Sequence, residues 1–348
     1  MAMAFFLGAN SCEGFVSLYP QLQKESQRQL FVLKGGPGCG KATCIRALCE
    51  ALGGAEELFH CSSDPDSLDG AVAAGRVILD GTAPHVLEPT LPGCDGDYLT
   101  MLPFVDREGL EAQKAALYAL KAAAKTHYDS AYRTLAAAAK VRQERRQTVR
   151  AMLSGADPSR RAAGLLQREV PKTGNPGRLR LRFLDGITPK GQLFLHQTVT
   201  ASAQKIIALR DRFGLGQQLL EDLRDGALER GQRVYACLDP LEPGRLRHLI
   251  LPDSSLAFVT DEGALPFAPT RTIRLDAMAA GEDMRQERGR LRLLGKLEAD
   301  LLEDAVQHIA AAHALHDRME AIYHPHVNFG SMESCVQMHL KQMGILEG

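Results

Sequence analysis

A chain of 348 residues is long enough for two domains of ordinary size. Its 45% hydrophobic and 24% charged residues exclude an intrinsically disordered or fibrous protein. Lys and Arg number 41 against 42 Asp and Glu, a formal net charge of −1, which excludes a nucleic-acid coat or polybasic membrane binder at whole-chain level.

The opening, MAMAFFLGANSCEG, has neither the basic start nor the long apolar stretch of a secretory signal. No run approaches the roughly 18 to 20 apolar residues of a spanning helix, so a cytoplasmic protein with no membrane partner is expected. Cys12, Cys39, Cys44, Cys49, Cys61, Cys94, Cys237 and Cys335 form no CxxC pair and no regular framework. They are expected to be reduced, mostly buried thiols without a metal.

In chain order, LFVLKGG predicts a buried strand entering a glycine-rich turn, and KATCIRALCEALGG the helix after it. Ile45, Leu48 and Leu52 fall at i, i+3 and i+7, and Gly53 supplies the stop. A second strand is expected over 57–61 and a third over Arg76–Asp80, an order that signals a mainly parallel α/β sheet. From 107 to 153, Leu110, Leu117, Leu120, Tyr128 and Leu135 recur at near-helical spacing, predicting a helical hairpin or coiled coil packed on its own lobe. Pro158, Pro171, Gly174, Asn175, Pro176 and Gly177 mark 155–178 as a linker. Beyond it come IIAL, a helix near 217–229, RVYACL and LAFVT, then a second helical arm over 284–323.

The two halves match. Phe6 and Gly14 recur 177 residues on as Phe183 and Gly191, and Leu33, Gly38, Gly40 and Cys61 recur 176 on as Leu209, Gly214, Gly216 and Cys237. A near-constant offset predicts a tandem duplication. The expected fold is α/β, with two tandem parallel-sheet lobes each followed by a long helical segment. Its expected divisions are 1–154, a basic linker over 155–178, and 179–348.

The strongest chemical signal is GGPGCGKAT: Gly35, Gly36, Pro37, Gly38, Cys39, Gly40, Lys41, Ala42 and Thr43, set between strand and helix. Glycines let several backbone N–H groups converge on a phosphate chain, the helix N-terminus adds partial positive charge, and Lys41 sets an ammonium against the β and γ phosphates. The expected ligand is a nucleoside triphosphate, ATP or GTP, with Mg²⁺. Ala42 departs from the pattern, because a Ser or Thr hydroxyl at that place would bind Mg²⁺. Thr43 usually faces the α-phosphate and is no simple replacement.

Asp80, ending VILD, is placed to hold Mg²⁺ directly or through water. Asp64, Asp66 and Asp69 in HCSSDPDSLDG are either candidates for positioning water, metal or an acceptor, or aspartates of a solvated turn. His85 is a candidate nucleotide contact.

GGPGCGKAT, HCSSDPDSLDG and ILDGTAPH together resemble an uncharacterised bacterial family of tandem P-loop ATPases, nucleotide-kinase-like in kind. The resemblance runs through most of the chain, including GITPKG, which is similar to the opening of that family's second repeat. Family members commonly carry a first loop like GGPGTGKST, from which Cys39 and Ala42 depart. The resemblance implies ATP binding and hydrolysis and supplies no substrate.

The second loop, RDRFGLGQQ, keeps Gly214 and Gly216 but has Gln217 at the lysine place and Asp211, Arg212 and Phe213 in place of Gly-Gly-Pro. It is expected to be a degenerate copy, with Arg210 and Arg212 in surface ion pairs unless one reaches the first site as an arginine finger. From Lys140 to Arg182 there are twelve basic residues against Glu144, Asp157 and Glu169, without interleaved aromatics, so a solvated helix end and linker is expected rather than a nucleic-acid site. His308, His313, His316, His324 and His326 lack a completing carboxylate or cysteine for a metal. The expected function is slow Mg²⁺-dependent ATP hydrolysis in the first lobe, with Lys41, Asp80, Asp64 and Asp66 as the chemical residues. The alternatives are a small-molecule or nucleotide kinase, and a nucleotide-dependent binding protein with little turnover.

Overall fold

The computed structural model describes residues 2–25, 29–84, 86–153, 157–278 and 282–346. The first half runs β1 (Met3–Phe6), β2 (Gly8–Ser11), β3 (Gly14–Ser17), α1 (Tyr19–Glu25), β4 (Gln29–Lys34), α2 (Lys41–Ala51), β5 (Glu57–His60), β6 (Leu68–Ala73), β7 (Arg76–Asp80), β8 (Gly96–Thr100), α3 (Arg107–Ala112), α4 (Lys114–Arg150) and α5 (Pro158–Glu169). The second runs β9 (Arg178–Arg182), β10 (Asp185–Thr188), β11 (Gly191–Phe194), α6 (His196–Ser202), β12 (Lys205–Arg210), α7 (Gln217–Glu229), β13 (Arg233–Leu238), β14 (Leu246–Leu251), β15 (Leu256–Asp261), β16 (Arg271–Arg274), α8 (Glu282–Gln286), α9 (Arg288–Tyr323) and α10 (Met332–Gln342).

The chain is mixed α/β with two six-stranded sheets and long helices. One sheet has the order β1-β5-β6-β7-β4-β8, and the other, read the same way, β9-β13-β14-β15-β12-β16. Each strand of the second order is the first shifted by eight places, so the duplication expected from the 176-residue offset reaches the topology. Three of the five pairings in each sheet are parallel, as expected, but each sheet is mixed through one reversed strand. β6 is antiparallel to both β5 and β7, and β14 to both β13 and β15. The sequence reading missed β6 because all six of its residues are buried, which removes the alternation that marks a half-exposed strand. Ala74 (φ 46°) and Gly75 (φ 71°) close the tight turn into β7.

Alternation along the central strands assigns each sheet two apolar faces. Leu30 and Val32 of β4 face the same core as Ile206 of β12 and Ala257 and Val259 of β15, whereas Phe31 and Leu33 pack under α2. The inner faces of both sheets thus share one core, in which Phe5 and Tyr235 stack at 5.2 Å. Phe6 and Phe183, the repeat equivalents, exchange backbone hydrogen bonds of 2.9 and 3.0 Å across the junction.

The helical arms also correct the expectation. Each is a short helix followed by a long one, of 37 and 36 residues, and the two long helices pack against each other instead of each arm packing as a hairpin or coiled coil on its own lobe. Thr134 meets Asp304 and Arg142 meets Glu298, so they run antiparallel. Nor is 155–178 only a linker. Asp157 caps α5 by accepting from Arg160 N–H, and Ala162, Leu165 and Leu166 bury against Leu219, Leu220 and Leu223 of α7. Pro158 and Met332, which open α5 and α10, lie 174 residues apart, the same spacing as Lys114 and Arg288. The repeat therefore extends to α5 and α10, and each half lays its last helix on the other's sheet: α5 on α7, α10 on α2. No helix among the described residues is long and apolar enough to cross a membrane.

Candidate functional site

β4 delivers the glycine-rich loop directly to α2. Gly38 (φ 63°) and Gly40 (φ 80°) take left-handed conformations, which a side chain at either place would strain. Lys41 opens α2, and its ammonium folds back over the loop. Nζ donates to the carbonyl oxygens of Gly36 at 2.7 Å and Gly35 at 3.3 Å, and lies 3.5 Å from Oδ2 of Asp80. Asp80 reaches it because β7 runs parallel to β4 with Asp80 opposite Leu33. Its other oxygen accepts from Thr82 N–H at 2.8 Å and from the Thr82 hydroxyl. With Lys41 only 10% and Asp80 14% exposed, this pair is poorly screened by water.

The loop is roofed by the other half of the chain. The Glu320 carboxylate accepts from Gly38 N–H at 3.1 Å, so an anionic side chain already sits on one of the loop's backbone donors. His316, 3.4 Å away, together with Gly38 N–H and Lys41, holds the Glu320 carboxyl below its ordinary range despite partial burial. Tyr323 packs on Gly36, where a Cβ would lie 2.2 Å from its ring, and the Met332 methyl packs on Gly40. The corner between α9 and α10 is pinned to the first lobe by Asp106 N–H on His326 O (2.8 Å) and Asn328 N–H on Phe104 O (2.9 Å).

Because Glu320 is 46% exposed, its hold on the loop is weak and water-screened, worth about 0.5–1 kcal/mol at most. Glu320→Gln is therefore expected to raise affinity for a phosphate ligand by about two- to fivefold. Titration calorimetry checks this, and an unchanged or lower affinity would refute the competition.

The remaining loop residues divide by burial. Cys39 is buried, which pushes its thiol up, while Pro37 is half-buried and Thr43 is exposed. Ala42 packs against the apolar cluster shared by α2 and α10. The acidic block is not assembled on the lysine. Asp66 pairs with Lys190 of the second half, which, first by hydrogen bond and then by charge, holds its carboxyl low. Asp64 closes a turn through its carbonyl to Ser67 N–H (2.9 Å). Neither contacts Lys41 or Asp80 among the described residues. Asp69 is buried in β6 and accepts from the Tyr19 hydroxyl at 3.1 Å. His85 lies outside the described residues.

The second loop is filled from within. Gly214 keeps the left-handed turn (φ 69°), but Asp211, standing where the first loop has Gly35, folds its carboxylate into the loop. Oδ1 accepts from Leu215 N–H at 2.8 Å and Oδ2 from Gly216 N–H at 2.7 Å. Those donors are thus satisfied from within by a buried acid. Gln217 bonds Glu221 and Leu246 N–H, while Arg210 pairs with Asp261 at 2.6 Å and Arg212 with Asp276 at 2.7 Å. An open cavity lies here, lined by arginines of α4 and of the second half. Arg142 pairs with Asp239 and Glu298, Arg145 with Glu298, and Arg146 with Glu242. Much of the basic segment expected to be solvated is therefore spent on ion pairs between the halves.

Sequence reasoning missed Asp211 and Glu320 as occupants of the two loops. The first had a signal, an acid directly after the strand. The second had only its offset: Glu320 lies 174 residues beyond Arg146, which packs on Gly214 as Glu320 packs on Gly38. No protein-family model, no curated protein and no solved structure matches this chain.

Proposed function

We propose that the first half carries a P-loop site that binds ATP or GTP with Mg²⁺ and hydrolyses it slowly, and that the second loop is a decayed copy without nucleotide. The observation that carries this reading is the Lys41 ammonium 3.5 Å from the Asp80 carboxylate, over a loop with left-handed Gly38 and Gly40. The likeness of GGPGCGKAT, HCSSDPDSLDG and ILDGTAPH to tandem P-loop ATPases agrees with it.

In this reading Gly38 and Gly40 N–H groups bind phosphate oxygens after Glu320 leaves. Lys41 exchanges the Gly36 carbonyl for the β and γ phosphates. Asp80, released from the ammonium, is the residue to hold Mg²⁺, directly or through water. The ion's chemistry there is neutralisation of phosphate charge. Since Asp64 and Asp66 do not reach Lys41, no water-positioning base is assigned to them. The test is turnover of ATP with and without Mg²⁺, recording free phosphate and nucleotide products. Free phosphate supports hydrolysis, and transfer to an added metabolite would establish a kinase. The absence of both would leave a binding protein.

That last reading has an observation in its favour: Ala42 places a methyl in an apolar cluster where a Mg²⁺-binding hydroxyl would stand. Ala42→Ser is expected to raise Mg²⁺-dependent turnover by about ten- to a hundredfold, the worth of roughly 1 to 3 kcal/mol in the transition state. Nucleotide binding without Mg²⁺ should change little. Equal turnover at saturating Mg²⁺ would refute the slowed-hydrolase account. Equilibrium dialysis should further give one nucleotide per chain, because Asp211 fills the second loop; two sites of similar affinity would refute the decay.

A further inference from the structure

Behind the glycine-rich loop, α2 and α10 bring together three side chains that the nucleotide reading does not use. Cys44 lies on the first turn of α2, and Cys335 and His339 lie four residues apart on one face of α10. The two sulfurs and a ring nitrogen of His339 all fall within 4.8 Å of one another, and all three residues are buried. Cys335 Sγ is 3.4 Å from His339 Nε2 and 3.7 Å from the thioether sulfur of Met101, itself buried.

The orientation of the imidazole is set from outside the trio. His339 Nδ1 lies 3.0 Å from Oε1 of Gln342. In the tautomer that donates Nδ1–H to this amide oxygen, Nε2 turns its lone pair toward the sulfurs. This is how an outer partner prepares a histidine that ligates a metal. Two cysteines and a neutral imidazole form a soft donor set, and no carboxylate joins them. Mg²⁺ and Ca²⁺, which take oxygen ligands, are poorly matched, whereas thiophilic ions are well matched.

We propose that Cys44, Cys335 and His339 bind a thiophilic d¹⁰ cation, Zn²⁺ or Cu⁺, that clamps α10 onto the helix following the glycine-rich loop. Each thiol releases its proton to solvent as its sulfur binds, and no electron is transferred. Met101 is placed to add a weak fourth ligand, which favours Cu⁺. Filling of that position by water favours Zn²⁺. Because α10 begins at Met332, whose methyl lies on Gly40, the ion would fix part of the roof over the loop.

The test uses the full chain, purified under reducing conditions without chelator. Elemental analysis is expected to find about one Zn or Cu per chain. Co²⁺ added to metal-stripped protein is expected to give thiolate-to-cobalt charge-transfer absorption at one equivalent. Cys44→Ser, Cys335→Ser and His339→Ala should each abolish that absorption, while Cys49→Ser, a buried cysteine on the same helix, should keep it. Gln342→Leu should weaken binding by about ten- to a hundredfold, the cost of a lost outer partner. If a variant fails to fold, the wild-type Co²⁺ spectrum and elemental analysis still decide. Reduced wild type that neither retains metal nor gives the cobalt band overturns the proposal. So does full retention in Cys335→Ser, or a Cys44–Cys335 disulfide that forms with the metal present. The readouts involve no nucleotide, so failure here leaves the P-loop reading untouched.

Discussion

Arg182→Leu is expected to destabilise the protein by about 3 to 5 kcal/mol, the cost of leaving buried charge without its partner. The Arg182 guanidinium is fully buried between the halves. It donates to both Glu25 oxygens at 2.7 and 2.8 Å and to Glu57 at 2.9 Å, and lies over the rings of Phe59, Tyr235 and Phe5. Burial works against its charge, but Glu57 and Glu25 more than offset that, so it stays protonated. Removing it strands carboxylates whose side chains are only 7% and 2% exposed. Arg180, paired with Glu57 and 3.8 Å from Glu25, remains and limits the loss to the lower part of the range. Denaturant melts compare wild type, Arg182→Leu, and Arg182→Leu combined with Glu25→Gln, which leaves Arg180 its Glu57 partner. The single change should lower the midpoint strongly and the double change should recover part of it, since Arg180 and Glu57 then remain as one pair with no stranded charge. An unaltered midpoint in the single variant would show that the network does not hold the halves together.

Lys41→Ala is expected to weaken ATP binding by about ten- to a hundredfold, because one charge-assisted contact is worth roughly 1.5 to 3 kcal/mol. Lys41 is held by Gly36, Gly35 and Asp80, so its position over the loop exists before any ligand arrives. The variant also frees the Asp80 carboxylate to repel phosphate, which acts in the same direction. Calorimetry without Mg²⁺ on wild type, Lys41→Ala and the double variant with Asp80→Asn separates the two effects, because without the ion only the loss of the ammonium survives in the double variant. Equal affinity in wild type and Lys41→Ala would sink the P-loop reading.

Lys41 and Asp80 were legible together because Asp80 ends β7 and Lys41 opens the helix after the loop that leaves β4, and parallel neighbours bring such ends together. The boundaries of α2 and α7 were legible because helical periodicity records which face is buried, and those of β7 and β13 because each is a short run of large apolar residues. β6 was not legible, being buried on both faces with short side chains, and α5 was hidden because flanking Pro and Gly masked the Ala162, Leu165 and Leu166 stripe.

By itself the sequence determined the duplication, the glycine loop with its lysine and acid, and the loss of the second lysine. Only the tertiary structure decided that the arms cross to opposite halves, that Glu320 covers one loop and Asp211 fills the other, and that Cys44 meets Cys335 and His339. An amphipathic helix encodes that one face must be buried, but any apolar surface of suitable shape satisfies it. Which surface does so depends on contacts between residues hundreds apart, and local pattern carries no record of them.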